Sequence, residues 1–279
     1  LETTQRLALK AAAVLSVTSD HLDRYASLAD YAAAKARIFT HCDTAVINLD
    51  DPLVVAMQHA TPRTFTYSLQ TAAAADFSLA TNPETHQPWL TRRGEVLLPA
   101  AAIKLAGLHN VANALAALAL GEALRLPRAA MLEELQEFAG LPHRTEWVAD
   151  VDAVRYLNDS KGTNVGATLA AVAGLDGPLI VIAGGDGKRQ DFAPLAAAFR
   201  GKVRLAVLIG RDAPTLAAVL ADVCEVQQAA TLESAVGLAH DAAQAGDTVL
   251  LSPACASVDM FRDYAHRGSV FMSAARALA

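Results

Sequence analysis

Short runs of β-branched residues alternate with alanine-rich helical stretches from about Trp147 to the end of the chain. The predicted strands are Asp152–Leu157, Pro178–Ala183, Val203–Ile209, Glu225–Gln227 and Thr248–Leu251. The predicted helices are Asn164–Ala173, Pro194–Arg200, Pro214–Asp222, Leu232–Gln244 and Val258–Leu278. This alternation is typical of right-handed βαβ units, whose parallel sheet is covered on both faces. The second half is therefore predicted to be a doubly wound α/β domain.

The first half has a less regular pattern, which also combines strands and helices. Its predicted elements are a helix-like opening stretch Leu1–Ala13, strand Ala12–Val17, helix Leu28–Thr40, strand Thr44–Asn48, strands Arg63–Leu69, Asp76–Ala80 and Glu95–Leu98, and helices Asn110–Leu124 and Arg128–Ala139. Turn signals at Asn82–Pro83 and Gly94 indicate that the last three strands form a short antiparallel sheet. This half is thus a second α/β unit.

The segment Gly140–Arg144 is the predicted linker between the two halves. Glycine commonly ends a helix, and the proline that follows prevents the helix from resuming. The sequence therefore divides into a first domain of residues 1–140 and a second of residues 141–279.

Composition narrows the class of protein. The chain has 279 residues, 53% hydrophobic and 19% charged, with a formal net charge of −6. The length indicates about two globular domains. An acidic balance argues against a nucleic-acid partner, which usually needs clustered Lys and Arg. The longest apolar runs, Val111–Leu120 and Ala11–Val17, are shorter than the roughly 18 residues of a membrane-spanning helix, so no span is expected. Three scattered cysteines indicate a reducing, cytoplasmic setting.

Polar, glycine-containing segments follow three of the predicted strands. They are Asn158–Asn164, Gly184–Lys188 and Ser252–Ser257. The carboxyl ends of parallel strands lie along one edge of the sheet, the edge formed by the strand ends, so these loops are expected to converge there. Together they supply lysines, carboxylates, hydroxyls and helix-start amides, a set suited to anionic substrates.

Each of these loops also has a purely structural interpretation. Asn158 and Asn164 are candidate helix caps, Gly184–Gly187 a candidate turn, and Cys255 a candidate small core residue. The glycine loop is not a phosphate-binding GxxxxGK motif, because Ile182 stands where the first glycine would be. Their joint occurrence at three strand ends is what favours a site.

The first half contains candidates that sequence chemistry alone leaves open. His21 follows a buried strand and is either a metal ligand or a capping residue. Lys35 lies among alanines, which favours a surface lysine whose stem packs on apolar neighbours. Asn110 is a candidate N-cap, and Asn113 lies about one turn later on the same side of the helix.

In this order, the motifs LxVTSDHLDRY, AAKARIF, LHNVANALAA, LPHRTE, NDSKGTN, GGDGK and SPACAS resemble those of the Mur ligases over the whole chain. NDSK-x-TN with SPACAS is most similar to the members that add D-glutamate. The resemblance implies a central ATP-binding domain and a Rossmann-like C-terminal domain that binds the amino acid. It implies an ATP-dependent amide ligase of peptidoglycan synthesis that joins D-glutamate to UDP-N-acetylmuramoyl-L-alanine through an acylphosphate. A monomer is expected.

The resemblance also implies roles for individual residues. His21 matches a Mg²⁺ ligand, and Lys35 matches a lysine that is carbamylated near that metal, which replaces its interpretation as a surface residue. The nucleotide contacts it implies are Asn110 and Asn113 for adenine, Arg144 and Lys161 for phosphate, and Asp159 for ribose. The D-glutamate contacts it implies are Thr163 and Lys188 for the α-carboxylate, and Ser257 with the backbone near Tyr264 for the side-chain carboxylate. His21, Lys35 and Lys161 are the expected catalytic residues.

The sequence lacks some features of the family pattern. The phosphate loop, the first magnesium carboxylate and the UDP-binding domain would all precede Leu1. We therefore expect an incomplete central domain followed by an intact acceptor domain, inactive as a ligase by itself. Two alternatives stay open: another ATP-dependent amide ligase of this fold, such as a folylpolyglutamate synthase, or a non-catalytic α/β binding module.

Overall fold

A computed structural model describes residues 3–18, 24–57, 61–70, 74–105 and 107–278. Two compact units follow each other along the chain, and the division falls between Ala139 and Gly140. We call them the N-terminal unit and the C-terminal unit. The predicted site residue His21 lies outside the described residues. None of the helices in the described ranges is long and apolar enough to cross a membrane.

The N-terminal unit is built on one mixed sheet. Its strands are β1 (Ala12–Val14), β2 (Thr44–Asn48), β3 (Arg63–Ser68), β4 (Phe77–Thr81), β5 (Pro88–Arg92) and β6 (Glu95–Pro99), and they lie side by side in that order. Its helices are α1 (Leu28–Ala36), α2 (Pro52–Val55), α3 (Leu108–Ala123) and α4 (Arg128–Glu137). Strands β1 to β4 are parallel, whereas β4, β5 and β6 are antiparallel.

The sheet corrects two predictions for this unit. Strand β3 pairs in parallel with both β2 and β4, so the segment beginning at Arg63 is not part of an antiparallel sheet. Strand β5, which the sequence did not predict, completes the antiparallel part. Its first residue is Pro88 and only Leu90 and Thr91 are buried, so the segment lacks a clear strand pattern.

The beginning of the chain is also different from its prediction. Among residues 3–11 the structure has no helix; instead Leu9 donates its amide to the His41 carbonyl at 2.9 Å and accepts from the Asp43 amide at 2.8 Å. Long-range pairing therefore overrides the local helical tendency of Leu1–Ala13.

Helix α3 begins at Leu108 with Gly107 as N-cap, so the prediction that Asn110 caps it is wrong.

The C-terminal unit is a doubly wound α/β fold. Its strands are β7 (Glu146–Val151), β8 (Val154–Asn158), β9 (Leu179–Gly184), β10 (Val203–Ile209), β11 (Glu225–Gln228) and β12 (Thr248–Leu251). Its helices are α5 (Val165–Gly174), α6 (Ala193–Phe199), α7 (Ala213–Leu220), α8 (Leu232–Ala242) and α9 (Tyr264–Arg276). The strand order is β11-β10-β9-β12-β8-β7, parallel except for the edge strand β7.

Alternation along the central strands explains the two layers of helices. Val181 and Ala183 of β9 pack in one core with Leu195 and Leu216 of α6 and α7. Ile180 and Ile182 pack in the opposite core with residues of α8 and α9. Both faces of the sheet are therefore buried, as the continuous apolar pattern predicts. The predicted α/β fold class is confirmed.

Two elements of this unit differ from their prediction. Strand β7 was not predicted, because the charged residues Glu146 and Asp150 interrupt the apolar pattern. The predicted helix Val258–Leu278 begins only at Tyr264. Before it, the amides of Met260 and Phe261 turn back to the Ser257 carbonyl, and extended Asp263 caps α9 by accepting from the His266 amide at 2.7 Å. A cap inside the periodic stretch therefore sets the start of the helix.

Candidate functional site

The three polar loops follow neighbouring strands in the middle of the C-terminal sheet. Strand β12 lies between β8 and β9, so the loops after all three leave the same edge. The Gly184 amide donates to the Pro253 carbonyl at 2.8 Å, and Asp186 and Ala256 exchange backbone hydrogen bonds of 2.9 and 2.8 Å. The Asp159 amide donates to the Leu251 carbonyl at 2.8 Å. The expected convergence is confirmed.

Asp159 is the buried carboxylate of this edge, with 8% of its surface exposed. One oxygen accepts from the Thr145 amide at 3.2 Å, and the other accepts from the Ser252 hydroxyl at 2.8 Å. Burial raises the pKa of Asp159 to about 6, although both hydrogen bonds and the positive charges of Arg144 and Arg267 oppose that rise. Each carboxylate oxygen retains a second lone pair for a further donor.

Asn158 and Asn164 have different structural roles. Asn164 is the N-cap of α5 and accepts from the Ala167 amide at 2.8 Å. Asn158 is completely buried; its side-chain oxygen accepts from the Ser160 amide, and its nitrogen lies 2.9 Å from Nδ1 of His143. Asn158 therefore shapes the turn after β8 and attaches it to the segment before β7.

Lys161 lies in a small aromatic group. Its Nζ is 3.9 Å from the centre of the Tyr264 ring, which also makes an edge contact with the His143 ring. The Lys161 amide donates to the His143 carbonyl at 3.0 Å. Gly268 makes room for this histidine, because a Cβ there would be 2.2 Å from its Nδ1. The structure thus gathers Lys161, His143 and Tyr264, while Arg144 stands exposed in the same segment.

Arg267 was missed by the sequence analysis, although it is the largest fully buried side chain of the described residues. Nε donates to the Ser160 hydroxyl at 3.0 Å, and the two Nη atoms donate to the carbonyls of Ser160 and Cys255 at 2.9 and 3.1 Å. Burial lowers its pKa to about 10. It joins the loops after β8 and β12, and nothing in the periodicity of α9 marks it.

The glycine loop after β9 is tightly enclosed. Gly185 has φ +126°, and a Cβ there would be 2.2 Å from the Ala256 carbonyl oxygen. Asp212 accepts from the Gly187 amide at 2.7 Å, and Asp186 accepts from the Lys188 amide at 3.0 Å and pairs with Arg211 at 3.0 Å. Lys188 is half-buried and has φ 48°, and these hydrogen bonds hold its backbone in place.

The remaining predicted residues of this edge lie in the neighbouring turns. The Thr163 amide donates to the Lys161 carbonyl at 2.8 Å, and Ser257, 4% exposed, opens the turn before α9. The Tyr264 carbonyl accepts from the Ser160 hydroxyl at 2.7 Å. Cys255 is completely buried, and burial raises its thiol pKa to about 12. A buried, protonated thiol fits the structural interpretation of this cysteine rather than a nucleophile.

The other predicted residues belong to the N-terminal unit. Nζ of Lys35 donates to the Ser16 carbonyl at 3.3 Å and lies 4.9 Å from the centre of the Tyr31 ring. On α3, Nδ2 of Asn113 is 3.4 Å from Oδ1 of Asn110, so the two amides share a side of the helix as predicted. Across the described ranges, no group of three or more His, Cys, Asp or Glu side chains is arranged to hold a metal ion.

Comparison with known proteins identifies both halves of the chain. Residues 2–121 match the Mur ligase middle domain, and residues 143–255 match the Mur ligase, glutamate ligase domain. The chain is 49% identical over 276 residues to the UDP-N-acetylmuramoylalanine--D-glutamate ligase of Methylobacillus flagellatus, covering 98% of this chain and 60% of that protein. It is 50% identical over 278 residues to the ligase of the same name from Nitrosococcus oceani, covering 99% and 61%.

A solved structure agrees at the level of the fold. MurF from Acinetobacter baumannii superposes with a TM-score of 0.70 and 17% identity, covering 95% of this chain and 60% of that one. The chain spans about 60% of the length of the curated relatives above. Because both of its halves match domain models of one family, and about half of its residues are identical to those of such ligases along its whole length, the chain belongs to the Mur ligase family.

Proposed function

We propose that this chain forms the ATP-binding and amino-acid-binding parts of a ligase that joins D-glutamate to UDP-N-acetylmuramoyl-L-alanine. The observation that carries the proposal is the convergence of the loops bearing Lys161, Lys188 and Ser257 at one edge of the C-terminal sheet. Cations and hydroxyls at the carboxyl ends of parallel strands are suited to an amino acid with two carboxylates. The names of the curated relatives give the same pair of substrates.

The reaction we propose needs no protein nucleophile. The carboxylate of the muramoyl-alanine substrate attacks the γ-phosphorus of ATP, which gives an acylphosphate and releases ADP. The amine of D-glutamate then attacks the acyl carbon, and loss of phosphate leaves the amide. Positioning and charge stabilisation supply such catalysis. The buried, protonated thiol of Cys255 fits this chemistry, because it offers no competing nucleophile.

The amino-acid pocket is proposed at the glycine loop and its neighbours. Lys188 and Thr163 bind the α-carboxylate, and Ser257 with the backbone near Tyr264 binds the side-chain carboxylate. A hydrogen bond to a charged group contributes about 1.5 to 3 kcal/mol. The backbone around Lys188 supports such a role, because Asp186 and Asp212 hold the amides of Lys188 and Gly187 before any ligand binds and less backbone freedom is lost on binding.

Nucleotide contacts are proposed in both units. Asn110 and Asn113 contact adenine, and their shared side of α3 supports that role. In the C-terminal unit, Arg144 and Lys161 contact phosphate and Asp159 contacts the ribose. Asp159 is already held by Thr145 and Ser252, so its free lone pairs have a fixed direction for a hydroxyl donor. We also propose a cytoplasmic location, because the proposed reaction uses ATP and a nucleotide-linked precursor.

Magnesium and a carbamylated lysine belong to the proposal only through His21 and Lys35. No group of three or more His, Cys, Asp or Glu side chains is arranged for a metal among the described residues, and Mg²⁺ commonly takes one or two protein carboxylates together with substrate phosphates. Lys35, on the last turn of α1 beside the Ser16 carbonyl, remains the proposed site of carbamylation.

The proposed amino-acid pocket is tested by chemical-shift titration of the chain with D-glutamate and L-glutamate. D-Glutamate should perturb the amides of Gly184–Lys188 and Ala254–Val258, and Lys188→Ala should abolish the effect. Lys202→Ala is the matched control. Lys202 lies directly before β10, at the amino ends of the parallel strands, and its Nζ donates to the Ala173 carbonyl. A preference for L-glutamate would favour a folylpolyglutamate-type ligase, and shifts confined to other loops would refute the pocket.

A further inference from the structure

Gln190 connects three loops of the proposed pocket. Its Oε1 accepts from the Val165 amide at the start of α5, at 3.0 Å. Its Nε2 donates to the Gly187 carbonyl of the loop after β9 at 3.0 Å and to the Ala254 carbonyl of the loop after β12 at 3.4 Å. One half-buried side chain thus reaches all three segments.

These contacts use both N–H donors of the side chain and one of the two lone pairs on its oxygen. A primary amide has two N–H donors and one carbonyl oxygen, and each makes a hydrogen bond here. The backbone amide of Gln190 also donates to the Gly187 carbonyl, at 2.9 Å. Gln190 is therefore fixed at both its backbone and its terminal amide.

The bonded atoms lie next to the residues that we assign to the amino acid. Val165 follows Thr163 by two residues, Gly187 directly precedes Lys188, and Ala254 lies three residues before Ser257. By comparison, the hydrogen bonds of Arg267 to other described residues join the loops after β8 and β12, through Ser160 and Cys255. A shift of Gln190 would therefore change the spacing of all three assigned residues together.

We infer that Gln190 is a positioning residue of the amino-acid pocket, which sets the relative placement of Thr163, Lys188 and Ser257. The inference rests on the proposed function for its ligand. Gln190 acts through the loops, and its own amide is occupied by backbone groups. Such a residue controls affinity and the choice between enantiomers, because both depend on the spacing of the groups that hold the two carboxylates.

Two variants of the full chain separate positioning from general stability. Gln190→Leu removes the three hydrogen bonds at similar volume, and Gln190→Glu keeps an acceptor for Val165 but faces the two carbonyls with an oxygen. Gln227→Leu is the control, since the Gln227 amide of the edge strand β11 donates to Glu225. Dissociation constants of D- and L-glutamate are measured by chemical-shift titration, together with the thermal unfolding midpoint.

Gln190→Leu and Gln190→Glu should raise the dissociation constant of D-glutamate about tenfold and reduce the D-to-L preference, whereas Gln227→Leu should match the wild type. A lower unfolding midpoint with an unchanged D-to-L preference would show a merely structural role and overturn the inference. Wild-type affinity and preference in Gln190→Leu would overturn it as well.

If the wild type binds neither enantiomer, the proposed pocket is refuted. Amide hydrogen exchange then tests the role of Gln190 by itself. Gln190→Leu, unlike Gln227→Leu, should then accelerate exchange at Lys188 and Ala256, whose amides bond Asp186 and not Gln190. Unchanged exchange at these two amides would show that Gln190 does not set the placement of the loops.

Discussion

Arg267 holds Ser160 by two hydrogen bonds, one to its hydroxyl at 3.0 Å and one to its carbonyl at 2.9 Å. The third bond of the guanidinium, to Cys255, fastens the loop after β12 to the same point. Because the arginine is 1% exposed, its removal leaves these three acceptors without their buried donor.

Arg267→Leu should therefore lower the free energy of unfolding by about 3 kcal/mol or more, because two carbonyls and a hydroxyl lose buried partners. Arg276→Leu, at the exposed end of the same helix, should change it by less than about 0.5 kcal/mol. Urea denaturation followed by circular dichroism measures both. A loss below about 1 kcal/mol in Arg267→Leu would mean that the loops hold without it.

The raised pKa of Asp159, about 6, gives stability a defined pH dependence. The pKa of this carboxyl is higher in the folded protein than in the unfolded chain, so the protonated form favours folding. Its contribution to the free energy of unfolding is fully present below the unfolded pKa near 3.8 and is lost as pH rises through 6. Asp159→Asn should remove this term. Between pH 4 and 7 the stability of the wild type should fall relative to Asp159→Asn by about 2 to 3 kcal/mol.

The control for Asp159 is Asp241→Asn, an exposed position on α8. The free energy of unfolding of Asp241→Asn should change with pH as that of the wild type does between pH 4 and 7. Unfolding by urea at half-unit intervals of pH gives the comparison. Parallel curves for the wild type and Asp159→Asn would contradict a raised pKa at this carboxyl.

The proposed carbamylation of Lys35 is tested in a ligase that contains this chain. Lys35→Ala should lose most of the activity, and added acetate should restore part of it, because a carbamate is an anion that a small carboxylate can replace. Lys10→Ala is the control, since Lys10 is an exposed lysine paired with Asp43. Near-normal phosphate release by Lys35→Ala would return this residue to the surface role that composition alone favours.

Residues 141–279 should fold without the rest of the chain. Both faces of their sheet are covered by their own helices, with Phe199 and Leu216 in one core and Phe271 and Val249 in the other. A dispersed amide spectrum and one cooperative denaturation transition would meet the expectation. A spectrum of collapsed, undispersed amides would show that this core depends on the N-terminal unit.

Much of the C-terminal unit could be predicted because its signals are local. The predicted strands Val203–Ile209 and Thr248–Leu251 have the same bounds as β10 and β12, since both are mostly apolar segments bounded by polar turns. The three site loops could be placed for the same reason: once the strands are parallel, their ends share an edge.

What could not be predicted depends on contacts between distant residues. Leu9 leaves the helical pattern because it pairs with the segment around Cys42. Strand β3 joins the parallel part of its sheet because β2 lies beside it, which no turn signal encodes. Arg267 and Gln190 resemble ordinary helix and loop residues until the fold brings backbone carbonyls within their reach.

The position of β12 between β8 and β9 has a consequence for how the protein is made. On the ribosome, which adds about 5 to 20 residues per second, β8 is complete at Asn158 and β9 at Gly184, well before β12 begins at Thr248. Until Thr248–Leu251 emerges, the loops after β8 and β9 have no strand to hold them side by side. The polypeptide therefore completes the middle of this sheet late, and a translation product stopped before Thr248 lacks the proposed pocket although it already contains Lys161 and Lys188.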